Sequence, residues 1–217
     1  MKRLILFSLI LLSFYVIDSN LVKAQAYYYS SDIKVFRDGR DKEFRDQKES
    51  PLTEEAFPLF KGLQYYDLNS KYKVAAKLIR TPGEKPFDAE TSKGKLRSLL
   101  KYGYLEFKLN GVKQQLNVYQ PIIPSNSPGY EEAKNALFLP FKDLTNGKQT
   151  YGGGRYLDFK IPKTEKLMLD FNLAYNPSCA YNSKYSCFLV PKPNHLDLEI
   201  KAGEKIYPHA PWSNSTK

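Results

Sequence analysis

The sequence predicts a mainly β domain, an antiparallel barrel or sandwich with one or two short N-terminal helices. Three observations predict it. Short runs of alternating apolar and polar residues recur from residue 74 onward. An Asn110-Gly111 pair sits between two such runs, in the manner of a tight hairpin turn. Helix-type spacing and capping residues are confined to the first sixty or so positions.

The chain opens with Met1, Lys2 and Arg3, a positive lead into an almost wholly apolar run over residues 4–17. That run is too short to span a hydrocarbon core of roughly 30 Å, but it has the length of a signal peptide's apolar region. Ala24-Gln25-Ala26 then supplies a small-x-small cleavage pattern. Residues 1–26 are therefore expected to be a cleavable signal peptide and the chain to be periplasmic or extracellular, with no transmembrane segment after cleavage. Residues 27–206 are expected to form a single β-rich domain, and residues 207–217 a flexible, Pro-containing tail.

Residues 27–31 are polar and tyrosine-rich and read as a lead-in. Asp32 is placed to cap a helix running toward Phe44, with Ile33, Phe36, Arg40 and Phe44 near one face; Gly39 weakens it. Ser50-Pro51 followed by Glu54 and Glu55 predicts the start of a second short helix, interrupted by Pro58 and ended by Gly62. Val74, Ala76 and Leu78 begin the strands. In the hairpin, Leu109 is expected to pair with Val112, Phe107 with Gln114, and Leu105 with Leu116. Glu106, Lys108, Lys113 and Gln115 then share the opposite face. Residues 121–130 are a Pro- and Ser-containing loop. Residues 137–141, 156–161, 167–172 and 196–201 are the remaining expected strands. Neither an internal repeat nor a domain linker interrupts them.

The formal charge is +10, and +8 once Lys2, Arg3, Lys23 and Asp18 are removed with the signal peptide. Both signs are interspersed, there is no arginine-rich block, and the address is exported. Nucleic acid is therefore not the expected partner; a small anionic ligand or an envelope component is. Cys179 and Cys187 are the two cysteines. In an oxidising compartment they are expected to pair as a disulfide. A metal site built from them and His195 is the competing reading; their spacing is wider than that of a zinc knuckle.

Several stretches resemble the bacterial domain-of-unknown-function family numbered 1684: Lys42-Glu43-Phe44, Phe60-Lys61-Gly62-Leu63, Leu137-Phe138-Leu139-Pro140-Phe141-Lys142-Asp143, Thr150-Tyr151-Gly152-Gly153-Gly154-Arg155-Tyr156, Asp170-Phe171-Asn172, Tyr175-Asn176-Pro177 and Ala202-Gly203-Glu204-Lys205. The resemblance runs from about residue 40 to residue 205. It implies no assigned activity. The chain departs from the family pattern after Cys187, where Phe188-Leu189-Val190-Pro191 and Pro193-Asn194-His195 replace a Pro-rich run and Glu-Asn-Arg.

Two polar clusters are candidate ligand contacts. Asp170 and Asn172, two apart on an expected strand, would point to one face, with Tyr175 and Asn176 close behind. The alternative reading is a loop shaped by Asx turns. Tyr151, Arg155 and Asp158 flank three consecutive glycines, and the guanidinium suits a carboxylate or phosphate; the alternative is a glycine corner with Arg155 paired to Asp158 or Asp170. Glu204 completes the set. The expected function is a non-catalytic binding protein for a small polar or anionic ligand. An envelope hydrolase using a carboxylate pair, Asp158 or Asp170 with Glu204, is the rival. There is no Gly-x-Ser-x-Gly elbow, no P-loop and no nucleotide or flavin fingerprint, so no cofactor and no metal are expected.

Overall fold

The computed structural model describes the backbone of residues 19–209 and the side chains of residues 29–209. The apolar run of the expected signal peptide, residues 4–17, lies outside the described residues, as do residues 210–217 of the expected tail. Among the described residues no helix is long and apolar enough to cross a membrane.

A helix, α1, spans Ser19–Arg45. It does not begin at Asp32, and residues 27–31 are not an irregular lead-in. The apolar stripe extends one turn earlier than expected: Ile33 and Phe44 are buried, and Tyr29, Phe36, Arg37 and Arg40 lie half-buried beside them. That i, i+3, i+4 spacing keeps one face on the domain. Gly39 sits on the outer side with no atom near its missing Cβ, so it lowers propensity without breaking the helix. The second expected helix shrinks to one 3-10 turn, Phe57–Leu59. Thr53, not Ser50, caps the preceding turn by accepting from the Ala56 N–H at 3.1 Å, and Pro58 lies inside what would have been the helix.

Among the described residues seven strands follow: β1 (Lys73–Arg80), β2 (Phe87–Glu90), β3 (Leu96–Leu109), β4 (Val112–Pro121), β5 (Ala136–Phe141), β6 (Arg155–Lys160) and β7 (Lys166–Asp170). A short helix, α2 (Tyr130–Lys134), links β4 to β5. All pairings are antiparallel, in the order β6-β5-β4-β3-β1-β7, with β2 added to the start of β3. The sheet curls into a half-barrel, as the mainly β reading requires. The β3–β4 hairpin has the expected register, Leu109 with Val112, Phe107 with Gln114 and Leu105 with Leu116. Asn110 at φ 51° and Gly111 at φ 80° both adopt the left-handed conformation of a type I′ turn.

The concave face buries Leu78, Leu105, Leu116, Leu139, Leu157 and Leu169 in the main core. A second core joins α1 to the C-terminal segment through Phe44, Leu52, Tyr181 and Tyr207. Tyr207, placed by the sequence reading at the start of the tail, is thus buried. Residues 196–201 are not a strand. Leu196 and Ile200 are buried as the alternation requires. Their neighbour, however, is the loop after β5, so the backbone bonds at isolated points, Leu196 N–H to Lys142 O and Leu144 N–H to Leu198 O.

The two outermost strands, β6 and β7, are brought into relation by the chain leaving β7. It runs through a 3-10 turn at Phe171–Leu173 and meets the free edge of β6, where Tyr175 and Tyr156 exchange both backbone hydrogen bonds. The polar residues singled out by the sequence collect around this crossing and the C-terminal segment that packs on it.

Candidate functional site

Arg155 opens β6 and is fully buried. The three glycines before it allow that placement. Gly154 has φ +99°, and a Cβ there would lie 2.7 Å from the Phe141 carbonyl, so only glycine lets β6 start so close to the end of β5. The Arg155 fork meets a carboxylate of the protein itself: Nη2 donates to Asp143 Oδ2 at 2.8 Å and to Ile200 O at 2.9 Å. Nη1 donates to the carbonyls of Ala202 and Glu204. Asp143 is held in turn by the Thr145 N–H and hydroxyl and by the Ile200 N–H. Arg155 therefore fastens the C-terminal segment to the sheet. The partner is neither Asp158 nor Asp170, and its terminal nitrogens are occupied by the fold.

Asp170 and Asn172 do not share a strand face. The strand ends at Asp170, whose Oδ1 caps the 3-10 turn by accepting from the Asn172 N–H at 3.0 Å. The Asn172 amide then clamps two distant segments, accepting from Asn69 N–H at 3.0 Å and donating to Asn69 O and to the Tyr29 hydroxyl of α1. These side chains serve the backbone, Asp170 through an Asx-type cap and Asn172 as a clamp.

The remaining expected residues are brought together. Glu204 is buried, and its Oε1 accepts from Asn176 Nδ2 and from the Tyr181 hydroxyl, while Oε2 accepts from the Asn176 N–H. Arg40 of α1 approaches Oε2 at 3.7 Å and lies over the rings of Tyr175 and Phe44. Burial pushes the Glu204 carboxyl above the usual carboxylate range, against the opposing pull of Arg40 and the hydrogen bonds. Burial and the adjoining carboxylate likewise hold the Tyr181 phenol far above its ordinary value. The Tyr175 hydroxyl donates to Asp158, which is exposed at the surface. The inner side of the Asp158 carboxyl is desolvated, and that raises its pKa. Arg40, which the sequence reading placed only on a helix face, is the charge at the centre of this group.

Tyr151 lies next to the cysteines. Its hydroxyl is 3.8 Å from Cys179 Sγ. Cys179 and Cys187 are two thiols here, not a disulfide, with the Cys179 N–H donating to Cys187 Sγ at 3.1 Å.

A different surface offers space. On the solvent face of β7, β1, β3 and β4 lies an open groove of about 1200 Å³. Its walls carry Lys77, Lys108, Lys113, Lys166 and Met168, with Glu106 as the one carboxylate among the described residues that line it. The pairing register sets Lys77 directly opposite Lys166, Lys108 opposite Lys113, and Ala75 opposite Met168. Ala75, as the smallest side chain on this face, leaves the floor low between lysine stems. None of the eight expected site residues lines this groove. Asp158 instead lines a second groove of about 680 Å³ with Glu131, Glu132 and Lys160. The hairpin register gave the signal for half of the basic groove, since it already placed Lys108 and Lys113 on one face. The lysines of β1 and β7 needed the β1–β7 pairing, which joins residues more than eighty positions apart.

The family of proteins of unknown function DUF1684 matches residues 59–205. The chain belongs to that family. The matched span contains all eight expected site residues but begins later than residue 40, so Arg40 lies outside it. A DUF1684 assignment carries no activity with it. The solution NMR structure of the uncharacterized protein from gene locus rrnAC0354 of Haloarcula marismortui is similar, with 31% identity and a TM-score of 0.65 over 84% of this chain and 96% of that one. No curated protein matches the chain.

Proposed function

We propose that this DUF1684 member is an exported, non-catalytic binding protein whose ligand is anionic and sits in the lysine-walled groove of the outer sheet face. One observation carries the reading: two lysine pairs, Lys77–Lys166 and Lys108–Lys113, stand directly opposite each other across strands around an uncovered groove. Like charges in opposed cross-strand positions destabilise a sheet. Among the described residues Lys77 alone of the four has an ion pair, with Glu165 at 3.6 Å and exposed, where screening makes it worth little, and its opposed neighbour on β3 is Glu106. An anion bridging the pairs removes that repulsion, and the apolar stems and Met168 suit a ligand with some apolar surface. Export rests on the positive start, the apolar run and the Ala24-Gln25-Ala26 pattern. The carboxylate-pair hydrolase has less behind it, because both Glu204 oxygens are spent on protein donors.

Isothermal titration with short-chain polyphosphate and with a soluble polyuronate tests the groove. Binding is expected with one or both, weakening as NaCl rises from low to about 0.15 M or beyond, where the Debye length is about 8 Å. The double substitution Lys108→Glu/Lys113→Glu is expected to weaken it at least tenfold without lowering the melting temperature. Unchanged affinity in that variant, or no binding by the unaltered protein, defeats the assignment. Mass spectrometry of the protein recovered from outside the cytoplasm tests export: a mature chain starting at Gln25 or Tyr27 is expected, and an intact Met1 overturns it.

A further inference from the structure

We propose that Cys179 and Cys187 are a reversible thiol–disulfide couple in the folded protein, one that exchanges with disulfides of small thiols or of partner proteins. The proposal does not rest on the anion groove or on export.

Three features of the geometry carry it. First, the two thiols already meet with the pair reduced: they share a hydrogen bond, and the Cys179 N–H donates to Cys187 Sγ at 3.1 Å. Second, both flanks are fixed without a covalent bond. Cys187 is sewn to the turn between β2 and β3, its N–H donating to Ser92 Oγ at 3.2 Å and its carbonyl accepting from the Ser92 N–H at 2.8 Å. Cys179 sits in the 3-10 turn Ser178–Ala180, backed by Tyr181 and its bond to Glu204. Reduction therefore leaves a folded, ordered dithiol. Third, donors face the sulfurs: the Cys179 amide on Cys187, and the Tyr151 hydroxyl, 3.8 Å away, on Cys179. Donors to a thiolate stabilise the reduced state, and stabilising the reduced state makes the disulfide more oxidising and easier to reduce.

Titration agrees with the geometry. The neighbouring thiol, Tyr151 and Ser92 lower the Cys179 pKa to about 7, so the pair gives up its first proton near neutrality. Access is one-sided, since Cys179 is buried and Cys187 is half-exposed. The sequence of bonds follows. The half-exposed Cys187 sulfur, its thiol proton held by and passing to the Cys179 thiolate, attacks a disulfide R–S–S–R, forming Cys187–S–S–R and expelling RS⁻. The expelled RS⁻ takes that proton from Cys179, whose thiolate then attacks the Cys187 sulfur, forming the Cys179–Cys187 bond and expelling the second RS⁻. The protein loses two electrons and two protons; the small disulfide gains both and leaves as two thiols. The reverse sequence reduces the protein.

The test equilibrates the native protein, without denaturant, across ratios of reduced to oxidised glutathione. Alkylation followed by mass spectrometry reads the state of each cysteine. An intramolecular disulfide is expected that forms and is lost again over the glutathione range. Resistance to native-state reduction would mark it as a purely structural bond and overturn the proposal. Failure to form any intramolecular bond overturns it as well. Two variants separate chemistry from folding. Cys179→Ser is expected to trap a stable glutathione adduct at Cys187, whereas Cys187→Ser is expected to leave Cys179 unmodified in the native state. Tyr151→Phe is expected to move the pH midpoint of iodoacetamide labelling of the pair upward. An unmoved midpoint in a folded Tyr151→Phe protein removes the hydroxyl from the site.

Discussion

At the scale of single residues, the buried polar side chains of this chain act mainly as fasteners. Arg155 is the clearest case, with its terminal nitrogens distributed over Asp143 and the carbonyls of Ile200, Ala202 and Glu204. Removing one member of a buried pair leaves the other charge uncompensated, a loss of about 3–5 kcal/mol. Arg155→Met is accordingly expected to cost about that much in urea unfolding, and Asp143→Asn somewhat less, since the amide still reaches the Thr145 groups. A change below about 1 kcal/mol for Arg155→Met would show that the segment is held by its apolar contacts instead. The sequence announced that Arg155 would seek an anion, because a guanidinium after a glycine run has few other uses. It could not announce which anion. Asp143 lies twelve positions away across a turn whose shape depends on Thr145, Thr150 and the path of residues 200–204. Asp170 and Asn172 were read onto a strand for a related reason. Alternation continued through Phe171, while the side-chain cap that ends the strand competes with it at the same position.

At the scale of elements, legibility tracks how local the determinants are. The β3–β4 hairpin was readable because its turn residues and its alternation lie within one stretch of chain and agree. Residues 196–201 alternate equally well yet pair with a loop, since alternation reports which side is buried and says nothing of what the backbone meets. The second helix failed where Pro58 and a Thr53 cap reduced it to a turn. Glycine effects can be ranked on the same basis. Gly111→Ala forces a φ of 80° on an L residue, expected to cost about 1–2 kcal/mol. Gly103→Ala would place its Cβ 2.1 Å from the Ile79 carbonyl of the neighbouring strand, a clash no side-chain rotation relieves. It is expected to destabilise the sheet well beyond Gly111→Ala in parallel denaturant titrations. Equal losses would mean that β1 gives way easily beside Gly103, where the β3–β4 register shifts.

At the scale of the whole molecule, a buried carboxyl sets part of the pH dependence. Glu204 holds its proton more tightly in the folded state than its ordinary value of 4.5 allows, and Asp158 is shifted in the same direction. Between the ordinary value and the raised one, the folded state binds more protons than the unfolded state, so stability falls as pH rises through that window. Below the ordinary value the contribution is complete. Denaturant titrations from pH 4 to pH 8 are therefore expected to show stability from this source declining toward neutrality. Glu204→Gln is expected to flatten the decline, and an unaltered slope in that variant would assign the dependence elsewhere.

The long first helix has a consequence in time. Tyr29 is held by Asn172 and Asn69 belongs to the same clamp, Arg40 meets Glu204, and Phe44 packs on Tyr181 and Tyr207. The first of the described elements thus packs on nearly the last, and that packing is complete only once residue 207 is free to fold. Contacts so distant in sequence close slowly. A chain delivered start-first through a narrow passage would therefore remain without its native helix packing until its end had emerged, a delay that keeps it threadable.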